Sequence, residues 1–213
     1  MSTAPDGEVR VSRRVRGLLG VLAVAAALGA PAAAGPLEDA NDAYREKAYA
    51  KAAELVRPLA EKGDAEAQYF LGTLYIEGTG VEQSDATAFL WFQRAANQGN
   101  AAAQYNLGAS YATGAGVAKS DVDAAKWFRR AADQGMAFAQ LNLGLLYAAG
   151  NGVPQDNVEA FKWLELAFAA LPPGGPRMDV ARAMTDVSAN MTRDQLIEAK
   201  QRQRAWQAKP ETK

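Results

Sequence analysis

The sequence predicts an all-α protein in which helix-turn-helix repeats stack side by side as a solenoid. A similar sequence motif begins at Ala65, at Ala101 and at Ala137, so its copies are 36 residues apart. Within each copy the matching residues recur every three or four positions, which is the spacing of one helix face. A repeat this short cannot bury its apolar face alone, so its copies must stack on one another.

The first half of each repeat reads as a helix that ends in a glycine turn. The shared face of the first copy consists of Gln68, Leu71, Gly72 and Tyr75. Gly72 removes a side chain from this face, and the close approach of a neighbouring helix must offset about 1 kcal/mol of lost helix propensity. Gly78 and Gly80 follow, and glycine readily takes the left-handed backbone that ends a helix.

The second half reads as a capped helix with an apolar face. Ser84, Ser120 and Asp156 stand 36 residues apart, and each side chain can accept hydrogen bonds from the first N–H groups of a helix. Tryptophan recurs on this helix at Trp91, Trp127 and Trp163. A ladder of exposed indoles for binding is one interpretation. We favour burial in the core, where replacing Trp127 by Ala costs about 3–5 kcal/mol.

The 36-residue spacing of the repeats, together with the sequences that flank them, predicts a domain organisation. Residues 1–34 are expected to be a signal peptide, and 35–62 a degenerate leading repeat that caps the stack. Three full repeats follow within 63–171, and 172–213 are expected to be capping helices. The repeats span 63–98, 99–134 and 135–171. Thr192 and Gln195 have the spacing of a capping box that opens the last helix, and the final residues, 209–213, are expected to be frayed.

The N-terminal segment has the three parts of an export signal. Four arginines precede the uncharged run from Gly17 to Ala30, and Ala32 and Ala34 fit a small-x-small cleavage site before Gly35. The alternative is an uncleaved membrane anchor, although Pro31 and the many small residues make a weak span. Either interpretation places the remaining chain outside the cytoplasm, and we expect a periplasmic location.

The repeated motif resembles that of the Sel-one-like repeat (SLR) family, which is related to tetratricopeptide repeats. The resemblance rests on A-x-A-Q-x-x-L-G-x-x-Y-x-x-G-x-G-V followed by A-x-x-W-x-x-x-A-A, and it covers Gly63 to about Leu171. It implies a right-handed α/α superhelical solenoid whose first helices line the concave side. It also implies roles as an adaptor or modulator of envelope signalling or assembly.

A concave groove is the candidate binding site, because its positions differ between repeats whereas the scaffold positions do not. Asn106 and Asn142 share one repeat position, where their amides are able to clamp the backbone of an extended peptide. The alternative is that they are solvated or bind between helices. Phe70 and Phe138 are either exposed anchors or packing residues. The candidate groove comprises Glu66, Phe70, Thr73, Glu77, Asn106, Ala109, Thr113, Phe138, Asn142 and Leu145.

Composition argues against most other classes of function. The chain has no Cys and no His, and it has no basic block of the kind that binds nucleic acid. We therefore predict no catalytic residue, no metal site and no cofactor. The predicted function is an exported, non-enzymatic scaffold that binds a protein or an extended peptide in the cell envelope, with no membrane contact after signal cleavage. The alternatives are a peptidoglycan-binding protein and a cell-wall hydrolase that uses carboxylates or serine.

Overall fold

The computed structural model describes residues 35–211, and within this range the chain forms ten α-helices and no strand. The signal-peptide prediction for 1–34 lies outside the described residues. The helices are α1 Pro36–Arg45, α2 Tyr49–Glu61, α3 Ala65–Glu77, α4 Asp85–Asn97, α5 Ala101–Thr113, α6 Asp121–Asp133, α7 Ala137–Ala149, α8 Asn157–Ala170, α9 Gly175–Ser188 and α10 Arg193–Ala205.

The helices pack as a stack of antiparallel pairs. Helices α3, α5 and α7 begin the three repeats, and each packs on the helix that follows it and on the one that precedes it. Helices α1 and α2 extend the stack at one end. At the other end α9 and α10 pack mainly on α8 rather than on each other. The prediction of an all-α repeat solenoid is confirmed.

The glycine in the first helix of each repeat is the point where the two helices of a pair meet. A Cβ atom on Gly72 would lie 2.7 Å from the ring of Phe92, and one on Gly108 would lie 2.6 Å from the ring of Phe128. Both rings are buried. The side chain that glycine lacks is therefore replaced by an aromatic ring from the second helix of the same repeat.

The glycine pair in each turn joins one repeat to the previous one. Gly114 ends α5 in the left-handed conformation, with φ +83°. Gly116 also has positive φ, and a Cβ atom there would overlap the carbonyl group of Asp85 at the start of α4. Because only glycine combines this backbone conformation with this contact, the turn fixes how far adjacent repeats are separated.

The predicted caps are present. The side chains of Ser84, Ser120 and Asp156 accept hydrogen bonds from backbone N–H groups in the first turns of α4, α6 and α8. Thr192 and Gln195 form the reciprocal capping box that opens α10. Each bond satisfies a donor that the start of a helix leaves unpaired, so the short helices have defined first residues.

Buried glutamines connect successive pairs through a repeated chain of hydrogen bonds. Gln68 is 5% exposed and donates to the carbonyl oxygen of Ala60 at 3.0 Å. Its own side-chain oxygen accepts from Gln98 at 2.8 Å. Gln104 and Gln134 repeat this bond at 2.8 Å. The repeated Gln is thus a bridge between the end of one pair and the start of the next.

The tryptophans are not equally buried, which corrects the prediction of three core indoles. Only Trp163 is fully buried, with 0% exposure, whereas Trp91 and Trp127 are half-buried. All three pack against hydrophobic clusters of the stack. Trp163 is covered further because Trp206 packs edge-on against it, at 6.2 Å between ring centroids. Replacing Trp127 by Ala therefore removes less buried area than the sequence suggested.

The chain beyond α10 is also ordered, and the prediction that it frays is wrong for residues 209–211. The backbone N–H of Lys209 donates to the carbonyl oxygen of Asp133 at 2.7 Å. The carboxylate of Glu211 binds Arg130 and Gln104. Contacts between residues so far apart in sequence leave no periodic trace, which is why the repeat pattern did not predict them.

Candidate functional site

The candidate groove lies on α3, α5 and α7, and its ten residues differ widely in exposure. Glu66, Glu77 and Thr113 are exposed, and Thr73 is only 4% exposed. The hydroxyl of Thr73 donates to the carbonyl oxygen of Tyr69, so this residue contributes to the core rather than to a free surface. The remaining six, Phe70, Asn106, Ala109, Phe138, Asn142 and Leu145, are half-buried.

The α3 part of the candidate groove is engaged by the leading repeat. The ring of Tyr44 on α1 packs edge-on against Phe70, with centroids 5.5 Å apart. Its hydroxyl donates to the Glu77 carboxylate at 2.6 Å. Burial, together with this bond to a negative group, raises the pKa of Tyr44 to about 12. Phe70 therefore packs against the cap of the stack, as one of the two interpretations from sequence proposed.

The two asparagines lie beside tyrosines of the preceding repeat. Burial raises the pKa of Tyr69, and Thr73 and Asn106 oppose this rise. Burial also raises the pKa of Tyr105, and Asn142 opposes that rise. Both asparagines are half-buried, so their side chains are neither fully solvated nor fully enclosed between helices.

The α7 part of the candidate groove is apolar. Phe138 lies beside Tyr105, with ring centroids 6.4 Å apart, and both Phe138 and Leu145 pack on the hydrophobic clusters at this end. The exposed charges of the groove, Glu66 and Glu77, lie on α3 instead. The face therefore changes from acidic at α3 to apolar at α7.

Within residues 35–211 there is no group of three or more Asp or Glu side chains placed to hold a metal ion. Burial raises the pKa of Asp133, but Arg129 and Lys162 oppose the rise and favour its ionised form. In the same range, no helix has both the length and the apolar character needed to cross a bilayer.

The sequence analysis did not predict a further feature of the repeats, in which arginine side chains cover the half-buried indoles. The guanidinium of Arg94 lies 4.4 Å from the ring centroid of Trp91, and that of Arg130 lies 4.6 Å from that of Trp127. The signal was available as the spacing Trp-x-x-Arg, which places both side chains on one side of a helix. Cation–π contact of this kind leaves the guanidinium free to bind an anion.

Comparison with known proteins agrees with the geometry. The sequence model of the Sel1 repeat family matches residues 65–100, 101–136 and 137–170. A Sel1 repeat protein from Oxalobacter formigenes has a crystal structure that superposes with a TM-score of 0.64 at 33% identity, covering 72% of this chain and 60% of that one.

A second solved structure is c5321, a protective antigen of uropathogenic Escherichia coli strains that displays an SLR fold. It superposes with a TM-score of 0.54 at 30% identity, covering 73% of this chain and 40% of that one. The chain thus spans less than two thirds of either relative. No curated protein matches the sequence.

Sel1 repeats generally mediate protein–protein interaction, and the fold is typically a non-catalytic scaffold. Three consecutive matches cover about half of the chain, and the helix pairs, glycine turns and buried glutamines repeat with the same period. The chain therefore belongs to the Sel1 repeat (SLR) family.

Proposed function

We propose that this protein is an exported scaffold whose candidate groove binds an extended segment of a partner protein in the cell envelope, without catalysing a reaction. The observation that carries the proposal is the change from exposed carboxylates on α3 to half-buried apolar side chains on α7. A segment with a basic residue near Glu66 and an apolar residue near Leu145 complements this face.

Site-specific photo-crosslinking in the native envelope tests the groove. A photoreactive residue at Ala109, in the middle of the face, is expected to capture a partner. A matched probe at Leu90, which is 53% exposed on α4, should capture much less. Leu145→Asp should then reduce capture from position 109. Equal capture from both probes, or an unchanged yield with Leu145→Asp, would place binding on another surface. Muropeptides rather than protein at position 109 would favour a peptidoglycan ligand.

Export is tested separately by the N-terminus of the purified protein. The arginines before an uncharged run, and the small residues at Ala32 and Ala34, support cleavage before Gly35 and a periplasmic location. Mass spectrometry of protein recovered from the periplasmic fraction should give a first residue of Gly35. A chain that keeps residues 1–34 and sediments with membranes would support the anchor instead.

A further inference from the structure

The segment that follows α10 lies along one edge of the stack as an extended peptide. Trp206 has extended backbone angles and packs on Trp163 in the third repeat. Lys209 then bonds to the end of α6, and Glu211 reaches the second repeat. We call the surface beneath this segment the edge groove, and its residues are Gly99, Gln104, Arg130, Gln134, Gly135 and Trp163.

The edge groove holds a carboxylate with three directed hydrogen bonds. Arg130 donates to both oxygens of Glu211, at 2.9 and 2.6 Å, and the buried Gln104 donates to one of them at 2.9 Å. Arg130 is itself fixed by its contact with Trp127. A paired guanidinium recognises a carboxylate by geometry as well as by charge, so this is a specific acidic subsite.

Gly99 provides room for the peptide backbone, whereas Gly135 is in ordinary contact range of the segment. The Cβ atom that Gly99 lacks would lie 3.1 Å from the carbonyl oxygen of Glu211, and the one that Gly135 lacks would lie 3.6 Å from the Cβ of Ala208. Both glycines also end the turns between repeats. The peptide therefore crosses the stack at two equivalent turns, in contact with the surface that the repeats present.

The equivalent position one repeat earlier, around Arg94, holds no carboxylate. Arg94 stacks on Trp91, but among the described residues it forms no ion pair. Asp64 and Glu66 stand in that copy where the Arg130 copy has Asn100 and Ala102. Two additional negative charges disfavour a carboxylate at Arg94. The chemical selectivity for an acidic segment therefore belongs to the Arg130 copy.

The chain's own segment lies at the surface of this groove rather than inside the core. All residues from Gln207 to Glu211 are exposed, and only Trp206 is half-buried. A cavity of about 290 Å³ adjoins Glu211 and is bordered by Asp64, Glu66 and Asn100. A tethered segment competes at an effective concentration of the order of millimolar, which a partner with more contacts can exceed.

We propose that the edge groove is a second protein-binding surface, which takes an extended segment of a partner protein with an aromatic side chain five residues before a carboxylate. The partner's carboxylate replaces that of Glu211 at Arg130 and Gln104, and its aromatic ring replaces Trp206 on Trp163. Glu66 borders the cavity beside this surface, but Arg130, Gln104 and Trp163 do not belong to the candidate groove. Failure of the edge groove would therefore leave the proposed function intact.

The test measures binding of a fluorescent peptide, RAWQAKPETK, which copies residues 204–213. Full-length protein with Glu211→Lys should bind it at least about tenfold more tightly than wild type, because the introduced ammonium group is repelled by Arg130 and leaves the groove open. Adding Arg130→Met should reverse this gain, whereas adding Arg94→Met, the same change one repeat away, should not. Circular dichroism monitors the fold of each variant.

Two further measurements identify what the edge groove binds: the affinity of an altered peptide, and the oligomeric state of the protein. A peptide with Gln in place of its Glu should bind Glu211→Lys protein about tenfold more weakly than the parent peptide. Glu211→Lys protein that binds no better than wild type, or an equal loss from Arg94→Met and Arg130→Met, overturns the proposal. A dimer that forms with rising concentration and is abolished by Arg130→Met overturns it too, since the occupant would then be a second copy of this chain.

Discussion

At the residue scale, Gly108 shows how the repeat converts an absent side chain into contact between helices. A Cβ atom at this position would lie 2.6 Å from Phe128, a ring that is 2% exposed. The better helix propensity of Ala offsets part of the clash, but a buried ring has little freedom to move. We expect Gly108→Ala to destabilise the fold by about 1–3 kcal/mol, measured by urea unfolding.

The partner ring provides the control for this prediction. Leu occupies the position of Phe128 in the third repeat, where Leu164 faces Gly144. A Cβ atom on Gly144 would still lie 2.9 Å from Leu164, so leucine does not relieve this contact. Phe128→Ala removes the ring, and the double variant Gly108→Ala with Phe128→Ala should therefore lose less stability than the two single variants added together. Strict additivity would mean that the contact between Gly108 and Phe128 does not limit the packing.

A buried glutamine at the end of the repeats lacks the bond that its equivalents make. The side-chain oxygen of Gln140 is buried and has no hydrogen-bond partner among the described residues, whereas those of Gln68 and Gln104 each accept from a glutamine. The missing donor corresponds to Ala170, which stands 36 residues after Gln134. We expect Ala170→Gln to stabilise the fold by about 1 kcal/mol in thermal unfolding, since it supplies that donor.

The reverse substitution should have the opposite effect in the first repeat. Gln98→Ala removes the donor to the buried oxygen of Gln68 and should destabilise the fold by about 1–3 kcal/mol. Gln83→Ala serves as the control, because Gln83 is exposed where it donates to Ile76. A similar loss of stability from both variants would show that the buried hydrogen bond contributes no more to the free energy of unfolding than the exposed one.

At the element scale, α10 is attached to α8 through a half-buried carboxylate. Glu159 accepts hydrogen bonds from Arg202 at 2.6 Å, from Lys162 at 3.3 Å and from the indole N–H of Trp163 at 3.1 Å. Burial opposes its ionisation, but Arg202 and Lys162 outweigh this effect and hold the pKa of Glu159 below its ordinary value of 4.5. The charged cluster therefore fixes the last helix onto the third repeat.

This lowered pKa makes the attachment of α10 dependent on pH. Its stabilisation is complete above pH 4.5 and is lost as the pH falls through the folded-state pKa. We expect Arg202→Met to cost about 1 kcal/mol at neutral pH and progressively less under acid conditions. Unfolding curves at several pH values measure this difference. Arg182→Met, which removes an exposed pair with Asp179, is the control for loss of a surface arginine.

The sequence predicts elements well and their exposure poorly, for a physical reason. Caps such as Ser84 and turns such as Gly114 act locally and recur with the period, so spacing alone locates them. Whether an indole is buried depends on what covers it. Trp163 is enclosed by Trp206, a residue outside the repeats, and Trp127 is covered only in part. Non-local contacts made once, like those of Glu211, leave no pattern to read.

The candidate groove shows the same limit. Its helices follow from periodicity, and the ten residues do lie on α3, α5 and α7. The engagement of Phe70 and Glu77 by Tyr44 could not be predicted from spacing, because Tyr44 belongs to the degenerate leading repeat. Thr73 is buried for a related reason, since it packs within its own helix pair.

At the scale of the whole molecule, the stack is nearly one-dimensional. Extensive packing joins helices that are neighbours in sequence, and α10 adds a contact with α8. Stability in such an array is a sum of repeat terms and neighbouring interfaces, so the two ends are weakly coupled. Helix α1 has ten residues and no side-chain cap at Gly35, so its first turn is expected to open more easily than that of a capped helix.

Native-state hydrogen exchange measures this coupling directly. Arg202→Met weakens only the attachment of α10 to α8, so exchange should accelerate in those two helices and remain unchanged in α1 and α2. In a molecule that unfolds as one cooperative unit, the same variant would accelerate the slowest amides of both ends equally. Local acceleration would mean that a partner bound at one end stabilises mainly the repeats it touches, so each binding surface of the stack is able to act on its own.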